Sequence, residues 1–167
     1  CCISLFVNAQ DDWNVVIDGK VYKGSKKLSG AIVILYKNGE VDKKYRTNDV
    51  GKFTFTLSPD NDYLVEIGKE GFVTKRISFS TENVPPDNVR SGFPSYPITV
   101  DLFENMKGLN TSILDEPIGL IRYYAKRDNF DFDEDYTYAI QDQLKKLLDE
   151  IEKKQKEYKD AIEKGDK

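Results

Sequence analysis

Residues 52–67 read KFTFTLSPDNDYLVEI, and the fold of the chain can be inferred outward from them. Phe53, Phe55 and Leu57 alternate with threonines, and the same two-residue period resumes at Tyr63 after the turn sequence SPDN. Alternation of apolar and polar residues places every second side chain on one face of a strand. The stretch therefore predicts two half-buried strands joined by a turn.

The same period extends over residues 15–103, with turn signals about every 8 to 12 residues. Asn38 and Gly39 supply the positive φ that a tight hairpin needs. The predicted fold class is mainly β with α: a seven-stranded antiparallel β-sandwich, followed by a short helix and a long C-terminal helix. The predicted strands are 15–22, 30–36, 41–47, 52–57, 63–67, 72–80 and 98–103.

The apolar and glycine positions of these strands resemble the carboxypeptidase regulatory-like domain, which has a transthyretin-like β-sandwich. The resemblance rests on Gly19, Val21, Leu28, Gly30, Ala31, Val33, Leu35, Thr47, Asn48, Gly51, Phe53, Phe55, Leu57, Tyr63, Val65, Gly71 and Phe72. It covers about half the chain and implies a shape, not an activity. Such domains are accessory modules of metallocarboxypeptidases and of envelope proteins in Bacteroidetes-type bacteria. The resemblance carries over no catalytic residue.

Composition narrows the class of function. The chain has 167 residues, 39% of them apolar and 32% charged, which fits one globular domain with an appendage. The net charge of -4 argues against nucleic-acid binding. Histidine is absent, and the sequence has no glycine-rich phosphate loop, CxxC pair or HExxH motif. We therefore expect no enzymatic activity, no cofactor, no metal site and no small-molecule substrate.

The amino terminus, residues 1–13, is predicted to be an anchor and linker. Cys1 and Cys2 precede an apolar run at residues 3–7. In one interpretation Cys1 is the acylated first residue of a bacterial lipoprotein. In the other, residues 1–9 are the tail of a signal peptide, because the sequence VNA resembles a small-residue cleavage site. Both interpretations place the protein in the cell envelope, the first at the outer membrane and the second in the periplasm or outside the cell.

Two features of residues 14–103, the predicted sandwich, indicate surfaces for partners. The strand at residues 30–36 is apolar on both faces, so Ile32, Ile34 and Tyr36 need a cover, either from the carboxy-terminal part of this chain or from a partner protein. The loop at residues 81–97 holds four of the six prolines, and Phe93 and Tyr96 are candidate anchors for a partner. The alternative is a rigid crossover that packs its own aromatic side chains onto the sheet.

Residues 104–135 are predicted to be a linker with a short helix that begins at Glu116 and Pro117. Its apolar face, Ile118, Ile121 and Ala125, is the candidate cover for the strand at 30–36. The acids at residues 128–135 resemble the start of a calcium loop only weakly, because Tyr136 stands where glycine is needed. They more simply favour the amino terminus of a helix.

Residues 136–164 are predicted to form one long helix. Ile140, Leu144, Leu147, Ile151 and Tyr158 form a narrow apolar seam of the coiled-coil kind. This seam fits one neighbour: the sandwich, a second copy or a helix of a partner. We expect the first half to dock on its own chain and the more charged second half to project, with Leu147, Ile151 and Tyr158 as candidate partner-binding residues.

These features favour a non-catalytic outer-membrane lipoprotein that serves as an accessory or scaffold subunit in secretion, outer-membrane protein assembly or nutrient uptake. The expected partners are outer-membrane or periplasmic proteins, together with the membrane itself through the lipid on Cys1. The second hypothesis is a glycan- or peptide-binding module that uses the proline-rich loop. The third is a hydrolase whose catalytic carboxylates the sequence does not single out.

Overall fold

The computed structural model describes residues 13–89 and 92–165, and this part of the chain holds ten strands in two sheets and one long helix. In chain order the elements are β1 (Val15–Lys23), β2 (Lys26–Lys27), β3 (Ile32–Lys37), β4 (Glu40–Arg46), β5 (Lys52–Leu57), β6 (Asp62–Gly68), β7 (Lys75–Ser80), β8 (Tyr96–Asp101), β9 (Leu120–Tyr124), β10 (Asn129–Phe132) and α1 (Glu134–Gly165). The prediction of a mainly β protein with a long C-terminal helix is confirmed.

The first sheet is built around β1. Strand β5 pairs with β1 antiparallel, from Val15 opposite Leu57 to Lys20 opposite Lys52. Strand β8 pairs with the other side of β1 in a parallel arrangement, and β2 pairs with the end of β1. The second sheet has the order β10-β9-β7-β6-β3-β4, with a parallel pair between β7 and β9. Asn38 and Gly39 form the predicted tight turn, both with positive φ.

The seven predicted strands are all present, but the description as a seven-stranded antiparallel sandwich is wrong in two respects. Strands β2, β9 and β10 were not predicted. Two of the pairings, β1 with β8 and β7 with β9, are parallel. The partners of each parallel pair are far apart in the sequence: residues 24–95 separate β1 from β8, and residues 81–119 separate β7 from β9. Parallel neighbours need such a long crossover.

One core lies between the two sheets and follows the two-residue period. Phe53, Phe55 and Leu57 are buried on β5, as are the alternate residues 63, 65 and 67 on β6 and 98 and 100 on β8. Trp13 and Phe130 extend this core to the end of the sandwich at which β1 begins. The inward positions predicted from alternation are therefore confirmed.

The short helix predicted from Glu116 is wrong. A single 3₁₀ turn covers Ser112–Asp115, and β9 follows at Leu120. The amide of Ile118 donates to the carbonyl of Arg76 at 2.7 Å, and the amide of Ser78 donates to the carbonyl of Gly119 at 2.9 Å. The free edge of β7 offered these backbone groups more hydrogen bonds than a short isolated helix could.

The long helix begins two residues before its predicted start and is 32 residues long, about 48 Å at about 1.5 Å per residue. Asp133 caps it: the amide of Tyr136 donates to Asp133 Oδ1 at 3.0 Å, and the amide of Thr137 donates to the Asp133 carbonyl at 3.0 Å. Within the described part of the chain, no helix is both long and apolar enough to cross a membrane.

Candidate functional site

The first part of α1 docks on its own chain. Leu147 and Ile151, with Leu114 of the linker, form a second apolar cluster apart from the main core. Half-buried residues around it are Val73, Phe103, Met106, Leu109, Ile113, Ile118 and Leu144. Two of the candidate partner-binding residues, Leu147 and Ile151, therefore face the linker between β8 and β9. The neighbour of this part of the seam is the chain itself.

The last part of α1 projects from this cluster. Lys154 Nζ contacts the carbonyl of Lys107 at 3.4 Å, and residues 155–164 are all exposed. Tyr158 is 70% exposed and Ile162 is 51% exposed. They continue the docked seam, because they follow Ile151 by 7 and 11 residues, close to two and three helical turns. The projecting end of α1 thus carries an apolar strip without a described neighbour.

The aromatic residues of the proline-rich loop pack inward. The Phe93 ring lies 5.2 Å from Trp13 and 5.0 Å from Phe130, measured between ring centroids. The Tyr96 ring meets Phe79 edge-on at 5.6 Å. Burial, reinforced by the charge of Asp131, raises the pKa of Tyr96 to about 12, so this phenol stays neutral. Phe93 and Tyr96 are thus half-buried parts of the sandwich, as expected for a rigid crossover.

The loop is also tied to the turn between β9 and β10. Asn88 Nδ2 donates to the Tyr123 hydroxyl at 2.6 Å and to Asp128 Oδ1 at 2.7 Å, and the Tyr123 hydroxyl donates to the same oxygen at 2.7 Å. Burial raises the pKa of Tyr123, and its hydrogen bond to Asp128 raises it further. The turn and the loop therefore form one fixed end of the sandwich.

Arginines pair with three of the five acids at residues 128–135. Arg122 forms an ion pair with Asp133 at 2.7 Å, and Arg127 bonds both Asp131 and Glu134. Both guanidinium groups lie over the Tyr124 ring, at 5.2 and 5.6 Å from its centroid. No described group of three or more acids or cysteines is arranged to hold a metal ion. The acids at the start of α1 have the helix-start role that their pattern favoured.

An open cleft of about 410 Å³ lies between β10 and the first turns of α1. Its lining is Arg127, Asp131, Phe132, Glu134, Thr137, Tyr138 and Gln141. Phe132 is 42% exposed and Tyr138 is 67% exposed, and the side-chain amide of Gln141 has no hydrogen bond to a described residue. The cleft can stack a ligand on an aromatic ring and offer an amide to it. The cleft could not be predicted from the sequence, because the strand and the helix that form it are joined only by Asp133.

The outer face of β3 is not covered as predicted. Ile32, Ile34 and Tyr36 are half-buried and belong to neither apolar cluster of the described residues. Ile121, which was expected to lie over them, is fully buried in the main core, because it belongs to β9 and points between the sheets. The outer face of β3 is bordered by β4 and β6, with Lys44 and Glu66 opposite Ile34.

Comparison with known proteins gives little. No protein-family model matches the chain. Among similar solved structures is catechol 1,2-dioxygenase from Acinetobacter sp., inhibited by bound mercury, with 11% identity, a TM-score of 0.41 and coverage of 63% of this chain and 57% of that one. Another is 3-chlorocatechol 1,2-dioxygenase from Rhodococcus opacus, with 13% identity, a TM-score of 0.34 and coverage of 53% and 58%. The chain spans less than three fifths of each.

Both of these proteins are enzymes by name, which contradicts the prediction that this chain is not an enzyme. That prediction is corrected, and the chain is assigned no enzymatic status in either sense. Similarity at this identity and TM-score transfers neither the activity nor the fold of the dioxygenases to the chain.

Proposed function

We propose that this chain is an accessory or scaffold subunit of a larger assembly in the bacterial envelope, held at the outer membrane by a lipid on Cys1. In this proposal the sandwich is a carboxypeptidase regulatory-like domain, and the partner is an outer-membrane or periplasmic protein of secretion, protein assembly or nutrient uptake. Cys1 lies outside the described residues. The observation that carries the proposal is the projecting end of α1.

The direction of α1 supports this proposal. The described chain enters at Trp13, which contacts Phe93 near the start of β8. Helix α1 begins beside the same end, since the ring centroids of Phe132 and Tyr96 lie 6.5 Å apart. At Lys154 the helix has reached the loop that follows β8. Trp13, at which the described chain begins, and the tip of α1 therefore lie at opposite ends of the sandwich. An anchored subunit would present this tip away from its anchor.

The length of α1 supports it as well. Contacts with the linker end at Lys154, yet the helix continues to Gly165 for about 16 Å. Isolated helical ends of this length are marginal unless they pack on something. Tyr158 and Ile162 offer the i, i+4 anchors by which one helix recognises another.

We expect the double substitution Tyr158→Ala and Ile162→Ala to separate the chain from its partner without unfolding it, because both side chains are exposed and leave no cavity. Loss of two anchors of this size should lower the affinity for the partner by about tenfold or more. The matched control is Leu148→Ala, at a residue that is 53% exposed on the docked part of the same helix.

The measurement is purification of the full chain in mild detergent from its native cells, followed by mass spectrometry of the amino-terminal peptide and of the co-purifying proteins. The proposal requires an acylated Cys1 and a stoichiometric membrane-protein companion that the double substitution releases and Leu148→Ala retains. An unacylated chain recovered alone contradicts it.

A second candidate is a glycan- or peptide-binding module, and the cleft beside β10 favours it. The positive charge of Arg127 is neutralised by Asp131 and Glu134, so the cleft does not select anions. Exposed aromatic rings beside an unpaired side-chain amide are suited to the apolar face and hydroxyl groups of a sugar.

In this case Phe132→Ala with Tyr138→Ala is expected to abolish binding on a glycan array, because both stacking surfaces are lost. Removal of such exposed rings should lower affinity by about tenfold or more. Tyr158→Ala serves as the control, since it removes an equally exposed aromatic ring far from the cleft. Equal binding by both variants, or none by the unmodified chain, counts against a glycan module.

A further inference from the structure

The two sheets have four edges, and they differ in whether the backbone at the edge is available. An edge strand presents unpaired amide and carbonyl groups, which natural proteins usually block to prevent pairing with other chains. Among the described residues, β5 and β8 form the edges of the first sheet, and β4 and β10 form those of the second.

Strands β8 and β10 are blocked. On β8, Pro97 has no amide hydrogen, and the carbonyl of Asp101 accepts from Lys75 Nζ at 2.6 Å. On β10, the amide of Phe130 donates to the side chain of Asn129, and the amide of Phe132 donates to the side chain of Asp131, both at 2.8 Å. These contacts use the groups that an incoming strand would need.

Strand β4 is interrupted. The register with β3 shifts between Leu35 and Tyr36, which leaves Asp42 as an extra residue in β4. All but one of its residues are exposed, and five of its seven residues are charged. Bulges and charged side chains are two of the devices that keep an edge strand from pairing further.

Strand β5 carries none of these devices along its centre. Its pairing with β1 is regular, without a register shift, and the residues between Lys52 and Ser58 are uncharged. The amide of Lys52 donates to Asn48 Oδ1 at 2.9 Å, and its carbonyl accepts from the Asn48 amide at 3.0 Å. Lys52 thus points its backbone groups away from β1. The direction of the backbone groups alternates along an antiparallel strand. The amides and carbonyls of Thr54 and Thr56 therefore also point away from β1.

The amides and carbonyls of Thr54 and Thr56 have no hydrogen bond to the described residues. We call these four backbone groups the open edge. The Thr54 hydroxyl donates to Asp18 Oδ1 on β1 at 3.2 Å, so it does not cover them. Asn48 closes one end at Lys52, and the other end closes at Ser58, whose amide donates to the Tyr63 hydroxyl at 2.9 Å. The open edge therefore fits one short strand.

Four lysines lie near the open edge, together with Asp18, whose carboxylate is engaged by the Thr54 hydroxyl. Lys52 and Lys20 face each other across β5 and β1, and Lys27 of β2 continues the line of β5. Lys43 is two residues from Tyr45, whose ring stacks on Phe55 at 5.8 Å. These four lysines are exposed and make no ion pair with a described residue.

We propose that the open edge of β5 binds an extended, acidic segment of a partner protein by strand addition. The four free backbone groups supply the hydrogen bonds, and the lysines select carboxylates at the ends of the added strand. A second copy of this chain is a poorer occupant, because its own β5 is uncharged beyond Lys52 and supplies no carboxylate to these lysines. This inference depends neither on the lipid anchor nor on the tip of α1.

The test is residue-resolved amide exchange by NMR on the full 167-residue chain under reducing conditions. The probe is the acetylated and amidated octapeptide Asp-Asp-Thr-Val-Thr-Val-Asp-Asp at millimolar concentration. At saturation we expect the amides of Thr54 and Thr56 to exchange about tenfold more slowly, while the amides of β4, β8 and β10 are unchanged. A control peptide with lysine in place of each aspartate should bind about fivefold more weakly or worse.

Two variants separate backbone recognition from charge. Thr56→Pro removes an outward amide without breaking a hydrogen bond to β1. The fold is therefore expected to persist, while binding of the octapeptide probe is lost. Lys43→Glu with Lys52→Glu leaves the backbone groups in place and should lower the affinity for the octapeptide about fivefold. Lys126→Glu, on the turn before β10, should leave this affinity unchanged.

The proposal is overturned if the probe leaves Thr54 and Thr56 unprotected, or if both peptides bind equally. It is also overturned if protection at these residues rises with protein concentration in the absence of peptide, which would identify a second copy as the occupant. None of these outcomes bears on the partner of α1.

Discussion

Replacing Leu147 and Ile151 together by aspartate is expected to release α1 from the sandwich. Both side chains are buried against Leu114. Truncation of one buried aliphatic side chain costs about 2–5 kcal/mol, and an unpaired carboxylate in the same place costs more. Two such changes cost more free energy than the docking of α1 on this small cluster supplies, because the described contacts of α1 lie mainly on the linker.

The release should be local, which hydrogen-exchange mass spectrometry can measure. Peptides from 136–165 are expected to lose protection, while those from β1, β5 and β6 keep it, since the main core contains no residue of α1. Leu148→Asp is the matched control, because that side chain points to solvent one residue away. Unfolding of the whole chain, or unchanged protection of α1, would show that the helix and the sandwich do not form separate cooperative units.

The separate unfolding of α1 and the sandwich is relevant to the proposed function. In the proposed function, a partner bound to Tyr158 and Ile162 contacts α1 beyond its docked part and leaves the main core undisturbed. Variants that release α1 would then weaken partner binding about as much as Tyr158→Ala with Ile162→Ala, but for a different reason: the anchors remain and their fixed direction is lost.

The local period of the sequence explains why most strands could be predicted. On β5 and β6 the inward residues alternate without exception, and the observed bounds differ from the predicted ones by at most a single residue at either end. The turn at Asn38 and Gly39 is equally local, since the positive φ belongs to those two residues. Such signals need no knowledge of distant parts of the chain.

Pairing between distant segments could not be predicted in this way. The sequence IGLIRYYA at residues 118–125 has apolar residues at helical spacing after Pro117, which favours a helix by itself. It forms β9 because β7 has a free edge beside it, and that edge exists only after the sandwich has formed. The tertiary hydrogen bonds of Ile118 and Gly119 outweigh the local preference.

The same contrast between local signals and distant pairing explains which features of the candidate sites could be predicted from the sequence. The acids before α1 were interpreted correctly as a helix start, because capping is a local property. Their arginine partners, the cleft at Phe132 and Tyr138 and the open edge at Thr54 all require the register between strands. Phe93 and Tyr96 were attractive anchors in the sequence, but their rings complete the end of the core.

The second large effect is expected at Gly19, which lies opposite Phe53 in the pairing of β1 with β5. The Phe53 ring rests on this glycine, and a Cβ placed there would overlap its outer atoms. Gly19→Ala must therefore displace a buried ring at the edge of the core. Overpacking of this kind costs about 1–3 kcal/mol and occasionally more, and the overlap here predicts the upper end.

Chemical denaturation of three variants tests this contact. Gly24→Ala is the control: nothing lies near its added methyl group, so only its positive φ opposes the change, at about 1–2 kcal/mol. Phe53→Leu removes the outer ring atoms, and Gly19→Ala should cost much less in that background than alone, because the two residues are in contact. Additive losses would mean that the ring does not rest on Gly19.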